Sequence, residues 1–394
     1  MTAMASSIDQ NITGGTAKTR AKTPTCEVDT YRGEAVYIYA FDVAYDMSRA
    51  PIRELLGQPV AQFAIDVSKR SPRQLFFYRP QMVHLPPLER IGPRGLVRVE
   101  RTIKLLPVGA ISMIVRVPFE IERIEDLIVY HDLRFNNGTL HDEVLRLAED
   151  VRRELHTHMI RPVPRLSDEE AYTVFCIEAP LIGSDGEIIN TEDWLTVHRR
   201  EVAALLTQEP DIAELSNQES EESTAKYLSY YGKDIVVVDW DAALIIDQPQ
   251  NFAETLYVME LANLQLTELE AYDRLCDESL DRAYRDLRVR RWRGRAEVLR
   301  ELREIRIDLA QLSDELSNIT KFFGDWHLAR IYQALSARFH LSDWHHSIEE
   351  KLRTLDHLYQ LLQQDLTNRV MIWLESAIVV LFIIDLLALF IGMQ

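Results

Sequence analysis

Residues 35–47 read AVYIYAFDVAYDM, a run of β-branched and aromatic side chains with Asp42 and Asp46 as its only charges. Such a run predicts a strand rather than a helix and marks the start of a folded domain near Glu34. Outward from it, further strands are predicted at AQFAIDV (61–67), RQLFFYRP (73–80), LVRVERTIKLL (96–106), AISMIVRVPFE (110–120), AYTVFCIEA (171–179) and KDIVVVDWDAALIID (233–247). Most are bounded by Pro, Gly, Asn or Asp. Trp240 and Asp241 fall at a hairpin turn inside the last of them. Between the strands, residues 139–160 carry Leu140, Val144, Leu147, Val151 and Leu155 near helical spacing, and 193–206 (DWLTVHRREVAALL) predict a second helix. The acidic, Ser-rich stretch 208–226 lacks apolar periodicity and is expected to be an exposed loop. The mixture predicts an α+β domain over 29–250.

With 44 basic and 62 acidic side chains the formal charge is −18, which repels phosphate backbones and argues against nucleic acid as a partner. Cys26, Cys176 and Cys276 lie far apart with no CxxC pair, against a disulfide framework or a zinc ribbon. The first 28 residues lack a secretory signal and large apolar groups, predicting a disordered arm whose chain stays in the cytoplasm. No glycine-rich nucleotide loop and no nucleophile elbow occur. The sequence therefore predicts no catalytic residue, no enzyme activity and no cofactor.

From Phe252 onward almost nothing but Gly294 and Gly324 interrupts helical sequence, and no proline follows residue 250, so 251–369 predict a helical stalk or bundle. Ile348, Leu352, Leu355, Tyr359, Leu362 and Leu366 follow heptad spacing, a seam for packing within a bundle or between copies in a coiled coil. Residues 370–393 hold Glu375 and Asp385 as their only ionisable groups, and about 36 Å of helix could cross a bilayer. The expected topology is a single-pass tail anchor in a bacterial inner membrane, with the N-terminal bulk in the cytoplasm. Glu375, Ile378, Phe382 and Asp385 share one stripe, a candidate for helix association in the membrane and a homo-oligomer.

The C-terminal residues resemble the required-for-meiotic-nuclear-division, or sporulation-type, proteins of mitochondria and bacteria. Family members carry Leu-Glu-Trp at the entry of a terminal helix and a second acid ten residues later. Leu374, Glu375 and Asp385 occupy those positions here, with Ser376 in place of the Trp. Upstream, Phe322, Phe323, Trp326, Leu328 and Tyr332 match the family's aromatic pair and following helix. The resemblance implies a membrane-bound scaffold without known catalysis, tied in mitochondrial members to organelle translation.

Two further clusters stand out. Between residues 282 and 306 ten arginines face four acids. Arg288, Arg290, Arg291, Arg293 and Arg295 around Trp292 form a candidate patch for anionic lipid or an acidic partner, or else a solvated helical bend. His345 and Glu349 would share a helix face suited to a divalent metal, although their spacing matches no zinc signature and a helix start explains them equally. The expected function is a non-enzymatic, tail-anchored scaffold whose cytoplasmic domain recruits an unknown protein partner. The alternative is a subunit of an oligomeric ion transport protein, because the acidic head, long helices and terminal segment resemble a CorA-like layout.

Overall fold

The computed structural model describes residues 27–391 apart from 49–51, 63–79, 93–94, 108, 137, 164–165, 167–169 and, within 290–325, all but Arg300, Arg303 and Ile307. Nearly all of the expected N-terminal arm, most of the strand candidates at 61–67 and 73–80, and the helical continuation after Gly294 lie outside the described residues.

The β-branched runs become one nine-stranded sheet. Its strands are β1 (Tyr31–Asp42), β2 (Ala61–Gln62), β3 (Gln81–Gly92), β4 (Gly95–Leu105), β5 (Ala110–Ile121), β6 (Glu170–Glu178), β7 (Tyr227–Leu228), β8 (Ile235–Val238) and β9 (Ala242–Asp247). They lie side by side in the order β7-β8-β9-β6-β1-β5-β4-β3-β2. Strands β6 and β9 are parallel, with Thr173 opposite Ala242, and the other neighbours are antiparallel. β1 sits at the centre. It approaches β6 so closely at Gly33 that a Cβ there would stand 1.8 Å from the Cys176 carbonyl oxygen.

Both faces of β1 are buried, which is why residues 35–41 show no polar alternation. Ala35, Tyr37, Tyr39 and Phe41 belong to one core, and Val36, Ile38 and Ala40 to the other. The first core is closed by α1 (Leu140–Leu155), α2 (Thr191–Val197), α3 (Arg199–Leu206) and a 3-10 turn at Ile124–Tyr130. Thr139 caps α1 with a reciprocal bond to Asp142, a capping box. The second core is closed by α5 (Pro249–Val289), α6 (Trp326–Arg338) and α7 (Leu341–Ile391). Ile348, Leu352 and Leu355 of the heptad seam are buried in that core, so this part of the seam packs within the chain. The side chains of Tyr359, Leu362 and Leu366 lie outside the described residues. Lys351 of α7 ties the two long helices together, with Nζ 2.7 Å from a carboxylate oxygen of both Asp273 and Asp277 of α5.

The structure corrects several expectations. The acidic stretch contains a helix, α4 (Asn217–Thr224), begun by Ser216, whose hydroxyl accepts the Glu219 N–H at 3.0 Å. Residues 193–206 form two helices, broken at His198, whose φ of −99° and ψ of 23° leave the helical region. Strand β3 goes unpredicted because Pro86 and Pro87 interrupt it. The fold absorbs them where the register with β4 shifts between Leu85 and Leu88, since a bulge releases the ladder bonds a proline cannot make.

The C-terminal end of the predicted fold class is also corrected. Among the described residues no helix is long and apolar enough to cross a membrane. The expected transmembrane helix at 370–393 is instead the far end of α7, one 51-residue helix rooted in the bundle at Leu341. Beyond the bundle its described side chains run from residue 371 to 384 with Glu375 among them. Neither the single-pass anchor nor the bacterial inner-membrane location drawn from it stands.

One half-buried acid is expected to make the stability of the fold depend on pH. Burial at the end of β1 pushes the Asp42 carboxyl up to about 6, partly offset by the charge of Arg274. A folded-state value above the unfolded one means that the stabilising contribution is complete below about pH 4 and is lost as pH rises through about 6. Asp42→Asn is expected to add on the order of 1–2 kcal/mol above about pH 7 and nothing near pH 4. Urea denaturation at the two pH values measures this, and an equal gain at both would assign the effect to packing.

Candidate functional site

The helical layer on the second face is narrower than the sheet. Helix α5 packs on β9, β6, β1 and β5, while β4 and β3 extend past it. Three rows of residues therefore cross from covered to open surface. Val36 of β1 is followed by Arg116 and Glu100; Ile38 by Ile114, Thr102 and His84; Ala40 by Ser112, Lys104 and Met82. The sequence of β4 prepares this arrangement. Arg98, Glu100, Thr102 and Lys104 alternate with residues of which Val99 and Ile103 enter the first core, the period-2 pattern of a strand with one wet face.

Between this platform and the first turns of α5 lies a cleft of about 630 Å³. At its floor Lys104 and Glu260 form a buried ion pair, each side chain 6% exposed. Ser112 donates its hydroxyl to the other carboxylate oxygen of Glu260 at 2.6 Å. The Lys104 ammonium stands 5.6 Å from the centre of the Tyr257 ring, whose phenol is pushed up by burial. On the platform Arg116 Nη1 donates to Glu34 at 2.8 Å; burial raises the Glu34 carboxyl and Arg116 works against it. His84 Nδ1 and Thr102 Oγ1 are 3.1 Å apart. Arg98 lies 3.3 Å from Glu100 at the open rim.

A second cleft, of about 610 Å³, opens where the parallel strands β6 and β9 end. From there the chain leaves β6 toward α2 on one face and β9 toward α5 on the other. Two of its three acids are engaged within the protein: Asp234 accepts the Tyr230 N–H at 2.9 Å, and Asp247 accepts the Gln248 N–H and the Asn251 amide at 2.6 and 2.9 Å. Gln250 in the first turn of α5 and Glu254 in the second line both clefts, so the start of α5 is their common wall. Cys176, fully buried with its thiol pushed up, faces neither as a nucleophile.

The sequence-predicted residues fall elsewhere. Glu375, Ile378 and Phe382 are exposed on the far part of α7 with Leu374 beside them. Asp385 is in the same helix, its side chain outside the described residues. Met371 to Leu374 and Ile378 to Ile384 are large apolar residues, each more than half exposed. Arg288 is in the last turn of α5 with its side chain outside the described residues, as are Arg290, Arg291, Trp292, Arg293 and Arg295 entirely, and Phe322 and Phe323. Trp326 begins α6 and is 71% exposed, whereas Leu328 and Tyr332 are core residues, and the Tyr332 hydroxyl donates to Gln265 of α5. His345 and Glu349 stand 3.9 Å apart on α7. Among the described residues no group of three or more His, Cys, Asp or Glu could hold a metal. Sequence reasoning missed the platform. The signal available was the polar alternation at 98–104 in a chain whose β1 shows none.

Residues 32–253, from β1 to the first turn of α5, match a family defined by the N-terminal domain of the uncharacterized protein MJ0711. The chain belongs to that family. The MJ0711 N-terminal-domain match takes in the whole platform on β3, β4 and β5 and stops short of Leu256, Tyr257 and Glu260. Uncharacterized protein MJ0711 of the archaeon Methanocaldococcus jannaschii is 23% identical over 223 residues, 55% of this chain. The chain thus aligns with 65% of that relative's length. No solved structure matches the chain.

These matches overturn the resemblance to the meiotic-division and sporulation-type proteins, and the relative found is archaeal where a bacterial one was expected. The quoted tail motif is short. A leucine and two acids on an apolar helix, and aromatic residues preceding an amphipathic one, meet requirements that many helices share.

Proposed function

We propose that the protein is a non-enzymatic scaffold that self-associates through the far end of α7, leaving its α/β body to recruit a partner. The supporting observation is that large apolar side chains from Met371 to Ile384 are exposed around α7, and a helix apolar on all sides requires cover. A second copy is the fitting cover. Bodies of formal charge −18 repel one another over most of their surface, whereas residues 371–384 carry Glu375 as their single charge. Ile378 and Phe382, one helical turn apart, supply a stripe on which two such helices can pack. The CorA-like transport alternative would need a helix that crosses the bilayer, and among the described residues no helix is long and apolar enough to do so.

Light scattering of the full chain in aqueous buffer tests the proposal against Ile378→Asp/Phe382→Asp. The expected result is a multimer for the parent and a monomer with an unchanged circular dichroism spectrum for the double variant. A monomeric parent rules out self-association, and an unchanged multimer in the variant places the contact elsewhere than α7.

A further inference from the structure

We propose that the cleft between the β3–β4–β5 platform and α5 is a binding site for a small organic oxyanion, a carboxylate or phosphate on an apolar body. The inference goes beyond the scaffold reading and does not depend on it. In volume the cleft, about 630 Å³, lies within the roughly 300–1,000 Å³ of small-molecule sites. Its charge runs against that of the chain: four Arg and Lys side chains against three Glu line it, where the whole sequence carries 44 basic and 62 acidic groups. The nearby end of α5 adds to this field. Its first turn contains no acid, and a helix of 41 residues presents the positive end of its dipole there.

The internal pairs still leave donors for a ligand. Arg98 and Arg116 each meet a single carboxylate oxygen in the ion pairs they form with Glu100 and Glu34, and a guanidinium has five N–H groups in a planar fork matched to oxyanions. Beside them Ile114, Leu256 and Tyr257 supply an apolar wall. An oxyanion held by the arginines would place its apolar body along that wall, above the Lys104–Glu260 pair. The buried pair fixes α5 against β4 and β5, and so fixes the width of the opening. Surface placement of β4 and β3 beyond the helical layer thereby gains a purpose that packing alone does not supply.

The test is calorimetric titration of the full chain with phenyl phosphate and phenylacetate, beside inorganic phosphate and phenol as the separated halves of the first and acetate and toluene as those of the second. At least one intact probe is expected to bind saturably, about tenfold more tightly than either of its halves. Arg98→Glu, at the exposed rim, is expected to weaken it by about tenfold or more, and Thr102→Trp, which fills the middle row, to abolish it. Melting temperatures near that of the parent establish that both variants fold. Which probe binds distinguishes phosphate from carboxylate. Failure of every probe to bind, or binding that survives both substitutions, overturns the proposal. The same titration on Ile378→Asp/Phe382→Asp is expected to give unchanged affinity, so loss of self-association and loss of the site are read separately.

Discussion

Replacing Lys104 by Met is expected to destabilise the fold by about 3–5 kcal/mol, because it leaves the Glu260 carboxylate buried with its counter-charge removed. Lys104 and Glu260 are each 6% exposed, and Ser112 satisfies only one oxygen of the acid. The stem of Met fills most of the space of the Lys stem, so the loss is one of charge rather than volume. Converting Glu260 to Met as well removes the stranded charge, and the double variant Lys104→Met/Glu260→Met is expected to recover most of the stability. Equilibrium unfolding of the two single variants and the double variant closes the cycle. A cost below about 1 kcal/mol for Lys104→Met would mean that Glu260 reaches water through the cleft, and would remove the argument that this pair sets the cleft's width.

Trp194→Ala is expected to cost about 3–5 kcal/mol through the cavity it leaves. Trp194 is completely buried. Its indole N–H donates to the Tyr31 hydroxyl at 3.0 Å, its ring stacks on His198 with centroids 4.9 Å apart, and it meets the Tyr31 ring edge-on at 6.0 Å. The residue thus joins the start of β1 to the start of α2 across 163 positions of sequence. Trp194→Phe retains most of the volume and drops the hydrogen bond, for an expected cost of about 1–2 kcal/mol. Guanidinium denaturation compares the two. If Phe costs as much as Ala, the bond to Tyr31 outweighs the packing.

How far the sequence disclosed this molecule depended on whether a signal was local. The run at 35–41 announced β1 because burial on both faces removes polar residues from consecutive positions. Residues 110–120, 171–179 and 233–247 were legible for the same reason. Pro86 and Pro87 concealed β3, since a bulge that tolerates them is set by the partner strand and not by β3 itself. Ser216 and Glu219 stood in a stretch judged by its acidity, and a cap followed by two turns of helix carries almost no apolar periodicity. The heptad seam was visible, yet spacing alone could not say whether its partner was α5 or another copy. At the C-terminus, apolar composition suggested a separate anchor, whereas the segment is the far end of a helix that starts at Leu341, and among the described residues no helix is long and apolar enough to cross a bilayer. The platform could not be read because Arg116, Glu100, Thr102 and His84 meet only through strand register, and register is a property of three strands together.

The central position of β1 also bears on how the chain is made. β1 is complete by residue 42, and β5, β4 and β3, which follow one another antiparallel on one side of it, are complete by residue 121, so a four-stranded sheet can form early. Its remaining edge waits for β6, which ends at residue 178, and Val36, Ile38 and Ala40 have no cover until α5 follows at residue 249. At about 5–20 residues per second of synthesis, that face stays bare on the ribosome for roughly ten seconds or more. A nascent chain stalled between those points therefore presents a sticky half-built sheet, and its yield in a cell is expected to depend on holdase chaperones more than the stability of the finished protein would suggest.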